Sequence, residues 1–398
     1  MEQLNPFHKE SLEILKKQLK SNDEKEIILA LRELSHYCDF HYDLSPLTSE
    51  LIGLTMNTNN DIREYSSHCI YHLAKNGFDL SSYTKELFPL FNDNNEFVRI
   101  NMIKIYNKLY SHHYDISNAL EIIFTLLNDS NEDVAFEAGE LLIKNYHEKN
   151  DIKTIKEKII NNQTPIHALQ GAFWSFHHLN INEEQVNDYI QIIKPFLDHE
   201  DDDIRWKACE FFIPITSHLT QDDNLIENLI THLKDPYDNI PWVAAEILTG
   251  IYYHQEKYDL AIKLLHHEYE TIKKGAILFF DEILSPQIHI PDEITHAIKL
   301  NLNHQDFELQ KLSAKFLSKY YIHQNQWKNY LDLLDKEPHW NIGKKALFEL
   351  MIIVRNQKID ISMVFTDLFS CLNNPEFDQY PLEVLKNYVN QSKEKHRA

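Results

Sequence analysis

"FLDHEDDDIRWKACEFF", residues 196–212, sets five acids in six positions (Asp198, Glu200, Asp201, Asp202, Asp203) and then turns apolar at Ile204. Three other stretches share its layout: "LFNDNNEFVRINMIKIY" (90–106), "LLNDSNEDVAFEAGELL" (126–142) and "HLKDPYDNIPWVAAEIL" (232–248). In each, an apolar run ends, a short polar turn follows, and Val or Ile opens a second apolar-periodic run. The acidic stretch is therefore one copy of a repeat, and the repeat decides the fold.

Register follows from that opening residue, with a small or apolar pair four and five positions on and a large apolar residue eight on. Ile62, Val98, Val134, Ile166, Ile204, Ile240, Ile272, Leu309 and Ile342 serve as openers, spaced by 36, 36, 32, 38, 36, 32, 37 and 33 residues. A weaker first copy starts at Glu26, with Ala30, Leu31 and Leu34 in step. Offsets 0, 4, 5 and 8 share one face at about 100° per residue, the amphipathic helical signature. Pro46, Pro241, Pro291 and Pro381 sit where first helical turns are expected, where a missing N–H costs nothing. Neither helix of a pair can bury its stripe alone, so neighbouring pairs must stack. By this register Trp174 takes the large apolar slot of the fifth copy and is expected in the core.

Paired helices with a period in the middle thirties, and turns such as "NDNNEFVR" and "DHEDDDIR", resemble HEAT or armadillo-type repeats. The resemblance implies an all-α fold, a right-handed α-solenoid of about ten HEAT-like helix pairs over residues 1–356. Residues 357–398 are then a helical cap and polar tail. It also implies a stabilising ladder between an Asp of the turn and an Arg opening the second helix. Asp93 and Arg99 match that pattern, as do Asp198 and Arg205 with one extra residue; Ala135 and Pro241 interrupt it.

Composition agrees with the repeat. Only 7 of 398 residues are Gly, too few for the turns and phosphate loops of a sheet protein. No P-loop, GxGxxG, GxSxG or HExxH occurs. With 39 basic and 61 acidic residues the formal charge is −22, which disfavours nucleic acid and anionic membranes and attracts basic partners. Half of that excess lies in residues 182–246, where 15 acids face 4 bases. The four cysteines are far apart, no run approaches a membrane span, and the first residues carry no secretory apolar core. These features suit a cytoplasmic protein without cofactor.

As a calcium loop the acidic stretch fails: counted from Asp198, the sixth residue is Asp203 rather than Gly and the twelfth is Cys209 rather than Glu. His68 and His72, with His36, Cys38 and His41 one repeat earlier, form a weak metal pattern among 23 scattered histidines. His112-His113, His177-His178 and His266-His267 suit helix ends. No metal site is assigned.

In HEAT-like proteins the second helices form the concave wall, and offsets 2, 6 and 9 or 10 point away from the buried stripe. Those positions hold Phe136 and Glu140, Trp206 and Glu210, and Trp242 and Glu246; later copies place Lys274, Lys311, Lys315 and Lys344 there. With Asp201, Asp202 and Asp203 they form the candidate partner-binding set, unless the aromatics serve only to pack neighbouring helices. The reading favours a non-catalytic scaffold that captures a basic protein or peptide, of which an immunity-type neutraliser of a cationic toxin is one example. The alternative is an enzyme resembling HEAT-like alkylpurine DNA glycosylases, whose concave Trp and carboxylate are similar in kind to Trp206-x3-Glu210 and Trp242-x3-Glu246. Those enzymes have a basic groove and an Asp, where this chain is acidic and has Glu.

Overall fold

The structure, a computed structural model, describes residues 9–395 except 41, 162, 177, 335–339, 358, 373–376 and 378. All regular elements among the described residues are helices. They divide into two compact units, residues 1–207 and 208–398.

The first unit alternates short and long helices: α1 (Lys9–Leu19), α2 (Glu24–Asp39), α3 (Thr48–Leu54), α4 (Asn60–Lys75), α5 (Thr84–Leu87) and α6 (Glu96–Ser111). It continues with α7 (Leu120–Leu126), α8 (Glu132–Glu148), α9 (Ile152–Thr154), α10 (Ile166–Phe176), α11 (Glu183–Ile193) and the start of α12 (Asp202–Phe212). The second unit completes α12 and adds α13 (Asp223–His232), α14 (Asn239–His254), α15 (Tyr258–Leu265), α16 (Glu270–Ile283) and α17 (Asp292–Leu300). After these come α18 (Phe307–His323), α19 (Trp327–Leu334), α20 (Trp340–Asn356), α21 (Phe365–Cys371) and α22 (Tyr380–Lys395). Even-numbered helices are the second members of their pairs, and within each unit they pack on one another: α2 on α4, α4 on α6, α6 on α8 and α8 on α10 in the first, α14 on α16, α16 on α18, α18 on α20 and α20 on α22 in the second. The result is an all-α solenoid in which the stripe of each second helix is covered by its neighbours.

Burial follows the repeat. Val98, Met102, Ile103 and Tyr106 are wholly buried, as are Ile240, Ala244, Ala245 and Leu248, and Ile272, Ala276, Ile277 and Phe280. In the weak first copy Glu26 is exposed while Ala30, Leu31 and Leu34 are buried. The fifth copy corrects the expected register. Ile166 is 37% exposed and Trp174 45% exposed, so Trp174 is not core. Ala168, Ala172, Phe173 and Phe176 form the buried set instead, which moves the opener two residues on and makes the flanking spacings 34 and 36. The cause is the contact of α10 with α8. A Cβ on Gly171 would overlap the backbone oxygen of Phe136, so only Gly lets the two helices approach this closely, and that contact sets the rotation of α10. Gly275 of α16 sits in the same way on the Trp242 carbonyl of α14. Gly139 of α8 meets the Ala168 carbonyl of α10 likewise, so three of the chain's seven glycines are placed at helix crossings.

The polar turns cap helices. Asn59, Asn95 and Asn131, each 36 residues apart, accept a hydrogen bond from a first-turn N–H of α4, α6 and α8. The Asp/Arg ladder exists, but its rungs run from one repeat to the next. Arg63 donates to Asp93 at 2.6 and 2.9 Å, and Arg99 to Asp129 at 2.8 and 2.7 Å. Arg99 also donates to the Asp93 carbonyl at 2.7 Å, so each Arg ties its own turn to the next. Burial pushes the Asp93 carboxyl upward, but hydrogen bonds from Arg63 and the Asn95 amide outweigh it and hold the group below the usual carboxylate range.

The glycine crossings give a paired test by chemical denaturation. Gly171→Ala is expected to lower unfolding free energy by about 3 kcal/mol, because backbone rather than a flexible side chain must move. Gly53→Ala, within α3 and with open space at the added methyl, is expected to be neutral or stabilising by about 0.5–1 kcal/mol.

Candidate functional site

The sequence-selected residues fall into two sets, one in each compact unit. In the first unit Phe136 is half-buried on α8. Glu140, one turn on, forms an ion pair with Lys144 and gives its backbone carbonyl to the Ser175 hydroxyl at 3.0 Å. Beside it Glu137 meets Lys104 at 3.2 Å. Burial raises the Glu137 pKa, Lys104 opposes that rise and Glu140 reinforces it. Glu137 and Glu140 are therefore paired with lysines of their own unit.

The opening stretch is a built turn. Asp201 caps α12, accepting from the Ile204 N–H at 3.0 Å and donating its own N–H to His199 Nδ1 at 3.1 Å. Arg205 donates to the carbonyls of His199 and Glu200 at 2.8 and 3.0 Å. Asp202 is exposed and Asp203 half-buried, the Asp203 N–H donating to the Asp202 carboxylate at 3.1 Å. Trp206 carries a cation of its own chain: Lys207 Nζ lies 3.9 Å from its ring centroid and 5.6 Å from that of Trp174. Sequence reading had set Trp174 aside as core, yet it shares this lysine with Trp206.

In the second unit the arrangement differs. Trp242 is 38% exposed and makes no ring or cation contact among the described residues. Glu246, one turn further along α14, is only 4% exposed, and its Oε1 has no hydrogen-bond partner among the described residues. Burial pushes its pKa up to about 8, with repulsion from Glu282 of α16 and Glu210 of α12 adding to the rise. A proton held on Glu246 is shared by hydrogen bonding with Glu282. The Glu282 carboxyl is also raised, by burial and by Asp281, with Lys315 opposing. Asp281 is buried and bound by Lys315 at 2.6 Å and Lys319 at 2.8 Å, and buried Glu349 is bound by Lys345 at 2.8 Å. Three carboxyl groups from consecutive second helices thus converge beside an exposed indole, while the acids toward α20 are matched by lysines. Glu282 and Asp281 were missed in the sequence, although offsets 9 and 10 from Ile272 point to the same wall.

The other lysines of that wall are engaged as well. Lys274 meets Asp306 at 3.0 Å, Lys311 meets Glu308 at 3.0 Å, and Lys344 Nζ lies 6.0 Å from the Tyr380 ring centroid. His68 Nδ1 is 3.1 Å from the Ser35 hydroxyl, with its ring edge-on to His72. His41 and His177 lie outside the described residues. Among the described residues no group of three His, Cys, Asp or Glu is placed to hold a metal ion, and no helix is long and apolar enough to cross a membrane.

No family model and no curated protein matches the chain. Solved structures do. Karyopherin Kap121p aligns at a TM-score of 0.51 with 16% identity, over 98% of this chain and 47% of that one. Kap121p bound to the SUMO protease Ulp1p aligns at a TM-score of 0.51 with 14% identity over the same shares. The chain spans about half the length of the structures it matches. The likeness is one of fold, and the chain is a HEAT-like helical-repeat protein.

The Glu246 pKa sets a pH dependence. A carboxyl raised from its ordinary value of 4.5 to about 8 binds its proton more tightly in the folded chain. Its contribution to stability is complete below about pH 4.5 and is lost as pH rises through about 8. Glu246→Gln, which cannot ionise, is expected to raise the thermal midpoint relative to the parent by several degrees at pH 9, with the difference vanishing near pH 4. Melting curves across that range check it; parallel pH profiles would show that Glu246 titrates normally.

Proposed function

We propose that the chain is a non-catalytic protein-binding scaffold whose second-helix wall captures a basic segment of another protein. The observation that carries this reading is the convergence of Glu210, Glu246 and Glu282 beside exposed Trp242. Gathering like charges costs stability, and a guanidinium or ammonium group supplied by a partner would relieve that cost. An exposed Trp beside acidic groups is the composition of an interface anchor for a basic segment. The excess of acid over residues 182–246 adds long-range attraction for a cation before contact. Kap121p, with the same kind of fold, is bound to a protein in one of the matched structures, which agrees with a binding role. A neutraliser of a cationic toxin is one protein this design would serve.

The glycosylase-like alternative gains no support from the same residues. A carboxylate that stabilises an oxocarbenium-like sugar must be ionised, whereas the Glu246 environment favours its neutral form at pH 7. A formal charge of −22 also opposes approach of DNA.

Titration with a fluorescent oligo-arginine peptide tests the proposal. Affinity is expected to fall about tenfold or more between low and physiological salt, as for exposed charge attraction. Glu282→Gln and Trp242→Ala are each expected to weaken binding about tenfold, as loss of an anchor does. Binding indifferent to salt and to both substitutions would overturn the reading. Release of alkylated bases from DNA, lost in Glu246→Gln, would establish the enzyme instead.

A further inference from the structure

Beyond the acidic wall, the second unit changes sign. α18, α20 and the start of α22 line an open groove of about 540 Å³, within the size range of small-ligand sites. Four ammonium groups line it, those of Lys311, Lys315, Lys344 and Lys345, against the single carboxylate of Glu308. Its apolar lining includes Phe307, Phe348 and Tyr380, and Phe307 is 42% exposed.

The lysines are held in place before any ligand arrives. Lys315 and Lys345 are anchored from behind by buried Asp281 and Glu349, at 2.6 and 2.8 Å. Lys311 lies 4.2 Å from the Phe307 ring centroid and Lys345 4.8 Å from that of Phe348. Each ammonium carries three N–H donors, so a lysine paired with one carboxylate oxygen still has donors for a second acceptor. Holding long side chains in position removes part of the entropy cost of binding an anion. An ammonium group is a compact point charge, so two lysines on one wall can each meet a different oxygen of a phosphate. The aromatic side chains offer apolar surface to a flat ring on the same ligand. Even with Asp281 and Glu349 counted beside Glu308, the four lysines of this pocket outnumber its acids, on a chain whose formal charge is −22.

We propose that this pocket binds a phosphorylated ligand that also carries a planar ring, with Lys311 and Lys344 as phosphate contacts and Phe307 as the ring platform. Such a ring phosphate is either a free nucleotide, whose base is the ring and whose ribose carries the phosphate, or a phosphotyrosine side chain. The site shares no lining residue with the Glu210–Glu246–Glu282 cluster, so its test stands apart from that of the basic-partner reading.

Calorimetric titration of the full chain with adenosine monophosphate, N-acetyl-phosphotyrosine amide, adenosine and inorganic phosphate decides it. At least one ring phosphate is expected to bind about tenfold or more tightly than inorganic phosphate and adenosine, because only it uses both lysines and ring. A preference for adenosine monophosphate identifies a nucleotide site, and a preference for the phosphotyrosine amide identifies a phosphorylated partner. The Lys311→Ala/Lys344→Ala double variant is expected to lose about tenfold in affinity, and Phe307→Ala to lose the preference over inorganic phosphate. Lys315 and Lys345 are left intact because truncating either would strand a buried acid. On the unsubstituted chain, the tighter ring phosphate is expected to protect Lys311 and Lys344 from amine acylation, read by mass spectrometry. Equal affinity for all four probes, or unchanged acylation of both lysines at saturation, overturns the proposal.

Discussion

Contact between consecutive second helices is the constraint from which the other features follow. Each such helix carries a buried stripe at offsets 0, 4, 5 and 8, and only the neighbouring repeats can cover it. Once that stripe is inside, offsets 2 and 6 must turn away from it, which is how Phe136, Trp206 and Trp242, with Glu140, Glu210 and Glu246, come to occupy equivalent places on successive helices. Where the contact is closest, at Gly171 on Phe136 and Gly275 on Trp242, no Cβ can be accommodated and backbone meets backbone. The aromatic positions of the wall are therefore also the positions against which the next helix is seated. Packing and surface chemistry are coupled there residue by residue.

Charge is distributed on that frame in two ways. In the first unit, acids and bases of the same or adjacent second helices cancel, as Glu140 with Lys144 and Glu137 with Lys104. Trp206 and Trp174 are likewise matched with Lys207. In the second unit, Glu246 lies near Glu210 and Glu282, and burial together with their repulsion raises its pKa to about 8. Further along, Asp281 and Glu349 hold lysines that line a pocket.

Much of this was legible in the residues. Hydrophobic periodicity and the recurrence of openers near every thirty-six residues identify an all-helical stack, because a period-3.6 stripe can be buried in few ways. The Asn and Asp of the turns announce caps, and Asn59, Asn95 and Asn131 act as such. The fifth copy was misread because Ile166 and Trp174 fit the apolar pattern two residues out of phase. Gly171, which rotates α10, looks like any other small residue until its neighbour is known. The ladder was seen as a pattern within one turn, but a guanidinium reaches the next turn as readily as its own. Glu282 passed unnoticed because its importance lies in proximity to Glu246, 36 residues away in the chain.

By itself, then, the sequence determined which residues form helices, which faces those helices bury, and the acidic balance of the whole, since each depends on local periodicity or on a sum over composition. Tertiary structure alone decided which side chains meet. The proton on Glu246, the lysine shared by Trp174 and Trp206, and the pocket between α18, α20 and α22 all depend on distances between residues of different repeats. Electrostatic and cation–π energies change steeply over a few ångströms, and the rotation of one helix against the next sets those distances.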